Sequence, residues 1–217
     1  MRNCAKIGGF CLLKGWAKLP DLLFEGVAVA GTVAHGGTVV VDGLRRIEQQ
    51  GGGARCDYEA LKYFTEFWCS DNTDPVERVY IQWGFSQFFP AKAMCAHVTS
   101  WNKNTSVKFR TDVASMCKLG FDIGLKNMSA DELEYCQDAV ANWKRLQPAI
   151  MDGEQYRLVS PYKSNHMAVN YVSQDKGKAV LFAYDVYPRF QEKLIAVKLQ
   201  GLDPHKMYLA LPLHRVT

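Results

Sequence analysis

Long apolar runs are missing from this 217-residue chain. No stretch approaches the roughly 20 consecutive apolar residues of a membrane-spanning helix, so a helical membrane protein is excluded. The N-terminal residues carry only a short, broken apolar run, a poor signal peptide. That favours a cytoplasmic over a secreted setting. A basic stripe is missing too: the net charge is +4 and the Lys and Arg residues are scattered, which gives nucleic-acid binding little electrostatic support. The seven cysteines form no Cys-x-x-Cys pair and no zinc spacing. Most sit among apolar neighbours, as small buried hydrophobes do. Length is short as well, since an eight-fold β/α barrel needs about 250 residues. This chain cannot hold a whole barrel together with anything else.

What remains is ordinary globular composition, 48% apolar and 22% charged. Residues 6–19 are expected as a short helix broken by Pro20. Leu22-Leu23-Phe24 followed by Glu25 suits a buried parallel strand with a polar residue at its mouth. From Gly26 to Gly53, Gly, Val and Ala dominate without a convincing period, which marks residues 26–50 as an irregular insertion. The aromatic, β-prone run Tyr63 to Trp68 then leads into the turn Ser70-Asp71-Asn72-Thr73-Asp74. Helix-like residues 75–78 follow, and a second apolar run, Val79 to Trp83. A helix is expected over 106–119, with Val107, Val113, Met116 and Cys117 inward and Gly120 as its stop. A strand is expected over 121–125. This alternation points to β/α units.

Ser129-Ala130-Asp131-Glu132 is a capping box. The apolar spacing of Leu133, Cys136, Val140 and Trp143 predicts an amphipathic helix that Pro148 ends. Beyond Gly153 come short β-rich runs at 156–159, 167–172, 179–184 and 194–199, separated by turn residues, an antiparallel module. The fold class is therefore α/β followed by antiparallel β, with the domain boundary at 152/153.

Asp71 stands at the end of a strand, where a barrel enzyme places a catalytic carboxylate. The ordinary reading of such an Asp-rich turn is an Asx turn or a helix cap, and Asp74 before Pro75 fits it better than Asp71. The longer pattern decides between them. Trp68-x-Ser70-Asp71-x-Thr73-Asp74, then Glu77-Arg78 and Ile81-Gln82-x-Gly84-x-Ser86, resembles the acid/base region of glycoside hydrolase family 36, the retaining α-galactosidases. Gly52-Gly53-Ala54-Arg55-Cys56-Asp57 resembles the latter half of that family's Cys-x-x-Gly-Gly-x-Arg-x-Asp motif, although Gln49 stands where the motif has Cys. Phe89-Pro90 to Val98 is similar to its Tyr-Pro-x-x-x-Met-x-x-His-Val. His97 in that run reads as a structural histidine. Gln155-Tyr156-Arg157-Leu158 and Gln200-Gly201-Leu202-Asp203-Pro204 resemble elements of its C-terminal β domain.

The resemblance implies the C-terminal half of a (β/α)8 barrel over residues 1–152 and a sandwich-like antiparallel domain over 153–217. It implies hydrolysis of terminal α-galactosyl residues of oligosaccharides, with no metal or organic cofactor. Asp71 would be the general acid/base, Trp68 would exclude water from it, and Gly52, Gly53, Arg55 and Trp68 would contact the sugar. Family enzymes assemble into oligomers, so a homo-oligomer is implied for the parent. The family's nucleophile is the Asp of a Lys-x-Asp motif, and no Lys-x-Asp occurs in this sequence. The expectation is a fragment that begins just before the fifth barrel strand and is inactive alone. Two alternatives stay open, a non-catalytic carbohydrate-binding module and a non-functional barrel fragment.

Overall fold

The computed structural model describes residues 4–7, 10–13, 38–41, 44–48, 58, 60–62, 65–101, 104–190, 192 and 196–212. Contacts divide the chain into two compact units, Met1–Gln137 and Asp138–Thr217.

Among the described residues the first unit holds two sheets. Strands β1 (Cys4–Ile7) and β2 (Phe10–Leu13) pair antiparallel, with Ile7 opposite Phe10. The helix expected over 6–19 is thus replaced by strand at 6–7 and 10–13. Two short apolar runs separated by Gly8-Gly9 are a hairpin signal, which outweighs a weak helical period. The larger sheet runs β3 (Thr38–Val41), β4 (Leu44–Glu48), β5 (Glu66–Trp68), β6 (Met94–Thr99) and β7 (Lys118–Asp122). The β3–β4 pair is antiparallel, and β4 to β7 are parallel. Both β3 and β4 fall within 26–50, where the sequence showed no period. The expected strand at 22–24 lies outside the described residues.

Helix α1 (Pro75–Phe85) joins β5 to β6, and α2 (Val107–Ala114) joins β6 to β7. Parallel neighbours need such crossovers. In α1 the apolar run Val79 to Trp83 continues the helix begun at Pro75, against its β-prone composition. Arg78, Val79, Gln82 and Trp83 share one helical face and are all buried, so packing overrides propensity. Buried Gln82 donates its side-chain amide to the Val113 carbonyl at 2.7 Å, tying α1 to α2. Phe67, Val79, Met94, Val98, Val113, Met116 and Leu119 fill the core. Phe67 meets Phe89 edge-on, with centroids 4.7 Å apart. Helix α2 stops at Ala114, short of the expected 119, and β7 starts at Lys118 in place of 121. Gly120 is not a helix stop; it lies in β7 opposite His97 of β6.

Helix α3 (Ala130–Met151) begins at the capping box. The Glu132 amide donates to Ser129 Oγ at 3.2 Å, and the Ser129 amide donates to the Glu132 carboxylate at 3.0 Å. Pro148 lies inside the helix and does not end it. Its ring is exposed, and its missing N–H removes one backbone bond near the last turn without breaking the helix. No helix among the described residues is long and apolar enough to cross a membrane.

Among its described residues the second unit contains an antiparallel sheet in the order β10 (Ala179–Asp185), β9 (His166–Val172), β8 (Glu154–Val159). In β10 buried residues Val180, Phe182 and Tyr184 alternate with exposed ones, as in a half-buried strand. Residues 196–199 are not in a strand, contrary to the run expected over 194–199. They belong to a segment anchored by side chains: Asn170 Nδ2 donates to the Gln200 carbonyl at 3.0 Å. The two motifs of this region meet in space. Gly201 has φ +79°, and a Cβ there would lie 2.2 Å from the Tyr156 ring, so only glycine fits.

Candidate active site

The site is built at the ends of β5 and β6. Strand β5 finishes at Trp68, and the loop 69–74 crosses to α1. Local rules shape this loop. Asn72 Oδ1 accepts the Asp74 amide at 3.0 Å, closing an Asx turn. Asp74 Oδ1 accepts the amides of Val76 (2.9 Å) and Glu77 (3.1 Å), capping α1 with Pro75 in its first turn. Asp74 is thereby committed to structure. Among the described residues Asp71 caps nothing, and it is exposed in the loop.

Among the described residues, one side chain holds Asp71. Trp68 donates its indole Nε1–H to Asp71 Oδ1 at 3.0 Å. The opposite demand on Trp68 comes from below, where its ring lies 4.0 Å from the His97 ring at 31°. His97 is 5% exposed on β6. Sandwiched this way, the indole is fixed in orientation, and its N–H aims one carboxylate oxygen. Trp68 therefore meets Asp71 through a polar edge and leaves it open to water, where the sequence had implied a shield. The other expected sugar contacts, Gly52, Gly53 and Arg55, lie outside the described residues.

Three further residues, Arg78, Thr73 and Thr99, given no role from sequence, brace the loop. Arg78 is 2% exposed on α1; it donates through Nη1 to the Ser70 carbonyl (3.1 Å) and through Nη2 to the Cys95 carbonyl (3.0 Å). A guanidinium fork spanning two backbone carbonyls pins the residue before Asp71 to β6. Beyond Asp71, the Thr73 and Thr99 hydroxyls are bonded at 2.6 Å, both buried. In the sequence Arg78 stood out only as part of the Glu77-Arg78 pair of the family-36 pattern, without a role of its own.

At the other end of the sheet, Glu66 on β5 pairs with Lys118 on β7 at 2.5 Å, reaching past β6. Burial pushes the thiols of Cys117 and Cys136 up to about 12. They are inert hydrophobes, not nucleophiles. Among the described residues, no group of three or more His, Cys, Asp or Glu side chains could hold a metal ion.

The family model described as Melibiase matches residues 40–153, and the model of the glycosyl hydrolase family 36 C-terminal domain matches residues 166–214. The chain belongs to the glycoside hydrolase family 36 α-galactosidases. Alpha-galactosidase 2 of Hypocrea jecorina is 36% identical over 163 residues, which are 72% of this chain and 22% of that protein. The crystal structure of GH36 alpha-galactosidase AgaB from Geobacillus stearothermophilus aligns with a TM-score of 0.69 at 33% identity, covering 73% of this chain and 22% of that one. A variant of AgaA from the same organism, in complex with raffinose, aligns with a TM-score of 0.69 at 32% identity, over 73% of this chain and 23% of its own. The chain thus spans under a quarter of the length of the relatives it matches.

Proposed function

We propose that this chain is the C-terminal part of an α-galactosidase that hydrolyses terminal α-galactosyl residues with retention, and that Asp71 is its general acid/base. Residues 1–152 contribute the second half of a (β/α)8 catalytic barrel, and 153–217 the C-terminal β domain. The observation that carries this reading is the setting of Asp71. It is an exposed carboxylate at the C-terminal end of a parallel strand, free of capping duty, aimed by an indole that is itself held by His97. Sites in β/α barrels are assembled at that face.

The chemistry follows from two carboxyls about 5–5.5 Å apart. Trp68 occupies Asp71 Oδ1, so Oδ2 carries the proton. Asp71 delivers it to the glycosidic oxygen as the bond to the anomeric carbon breaks and a second carboxylate attacks that carbon. The leaving alcohol departs neutral. Asp71, now ionised, takes a proton from water as the water attacks the anomeric carbon and frees the second carboxylate. This sequence contains no Lys-x-Asp, so that second carboxylate comes from outside it, and the 217 residues alone turn over no substrate. Gly52, Gly53, Arg55 and Trp68 are assigned to galactose binding, as the family motif implies. Raffinose-type oligosaccharides are the substrate class, a reading supported by the raffinose complex of the Geobacillus relative.

The test is a chimera in which residues 40–153 replace the matching barrel segment of AgaB. It is expected to release nitrophenol from p-nitrophenyl α-galactoside, and the isolated chain is expected to release none. A folded chimera without activity, or an active isolated chain, overturns the reading.

A further inference from the structure

A second concave feature lies on the same edge of the sheet, where β6 and β7 end. The loop after β6 contributes Ser100, Asn104 and Ser106, and the loop after β7 contributes Gly124 and Asn127. Together with Arg110 on α2 and Glu132 on α3 they enclose a cavity of about 420 Å³, within the range of about 300–1,000 Å³ usual for small-molecule sites. Its frame is built. Arg110 Nη1 donates to the Thr99 carbonyl at 2.7 Å, Ser100 Oγ accepts the Gly124 amide at 3.0 Å, and the Glu132 carboxylate is held by the Ser129 amide.

The lining selects one ligand class by exclusion. An anion would meet the Glu132 carboxylate, and a cation would meet the Arg110 guanidinium. A purely apolar ligand would cover two amides and several hydroxyls without replacing their hydrogen bonds to water, which is costly. A neutral molecule with hydroxyls that both donate and accept satisfies amides, hydroxyls, guanidinium and carboxylate at once. Val107, Ile123 and Met128 supply apolar wall for its C–H face.

We propose that this cavity between the β6–α2 and β7–α3 loops binds a neutral sugar unit, through Asn104, Asn127, Arg110 and Glu132, at a site distinct from the Asp71 carboxyl. It goes beyond the hydrolytic reading and does not need Asp71 to be a proton donor. In an oligosaccharide-processing enzyme such a site would hold a sugar other than the one being cleaved.

The experiment uses the 217-residue chain, with sucrose as probe and inorganic phosphate as counter-probe. Calorimetry should give saturable sucrose binding and none for phosphate. Gly124→Leu should abolish binding by filling the cavity. The backbone tolerates it: φ is −83°, and a Cβ would stand 3.4 Å from Asn127 Nδ2. Asn127→Ala should weaken binding about tenfold with the circular dichroism spectrum unchanged, and it decides the matter if Gly124→Leu does not fold. Asp71→Asn should leave sucrose binding as it was. The proposal is overturned if the folded chain takes up no sucrose, if it prefers phosphate, or if Asn127→Ala binds normally. Loss of sucrose binding on Asp71→Asn alone would also overturn it. None of these results bears on whether the chimera hydrolyses galactosides, so the two readings fail separately.

Discussion

Two carboxylates five residues apart on the same short strand and its following loop meet opposite fates. Glu66, at the start of β5, is 1% exposed and paired with Lys118 across the sheet. Asp71, past the end of β5, is open to solvent and held by one indole N–H. A carboxylate locked in a buried ion pair serves the fold, whereas one left accessible at the strand's C-terminal end can exchange protons with a substrate. The sheet thus has a structural end and a chemical end, and substitutions should separate them.

The largest expected contrast is between Asp71→Asn and Lys118→Met. Asp71→Asn in the AgaB chimera should lower kcat by about 10²–10⁴, the usual worth of a general acid/base, while denaturant unfolding stays within about 0.5 kcal/mol of the parent. Lys118→Met should do the reverse. Removing the cation opposite buried Glu66 should cost about 3–5 kcal/mol of stability, read by urea unfolding, with kcat per folded molecule unchanged. Equal effects of the two substitutions on both readouts would erase the contrast.

Arg78→Met tests the link between the ends. Loss of both carbonyl contacts should cost about 2–3 kcal/mol and also lower kcat, because the Ser70 backbone is released. A purely structural arginine would leave kcat alone. Trp68→Phe keeps the stack on His97 and removes only the N–H. About a tenfold fall in kcat/KM is expected, with little change in melting temperature.

The last contrast is alkaline and concerns stability alone. The thiols of Cys117 and Cys136 have folded pKa values raised by burial from 9 to about 12. The native state therefore keeps protons that the unfolded chain gives up, and the stability they contribute is full below pH 9 and lost as pH rises from 9 to 12. Urea midpoints should decline over that window, and less steeply in a Cys117→Ala, Cys136→Ala double variant.

Legibility in the sequence followed the range of the interactions. The Ser129–Glu132 box and the Asp74 cap are satisfied within four residues, and both stand where local pattern put them. Errors came where distant packing decides. Val79 to Trp83 is helical because α1 buries that face, a fact absent from its β-prone composition. Gly120 reads locally as a helix stop, yet its partner is His97, 23 residues earlier in the chain. Within the site, the exposed carboxylate and its tryptophan were legible as residues. The indole–carboxylate bond, the His97 support and the Arg78 clamp were not, because each depends on β5, β6 and α1 coming together.

The central claim rests on proton transfer by Asp71, and rescue chemistry tests it most directly. Turnover of p-nitrophenyl α-galactoside by the AgaB chimera should be measured for Asp71 and for Asp71→Gly, with and without azide. Nitrophenolate departs without a proton and azide attacks without a base. The expected result is therefore a glycosyl-enzyme that accumulates in the variant and is released as galactosyl azide, with much of the lost rate restored. Wild-type turnover in Asp71→Gly without azide would contradict it.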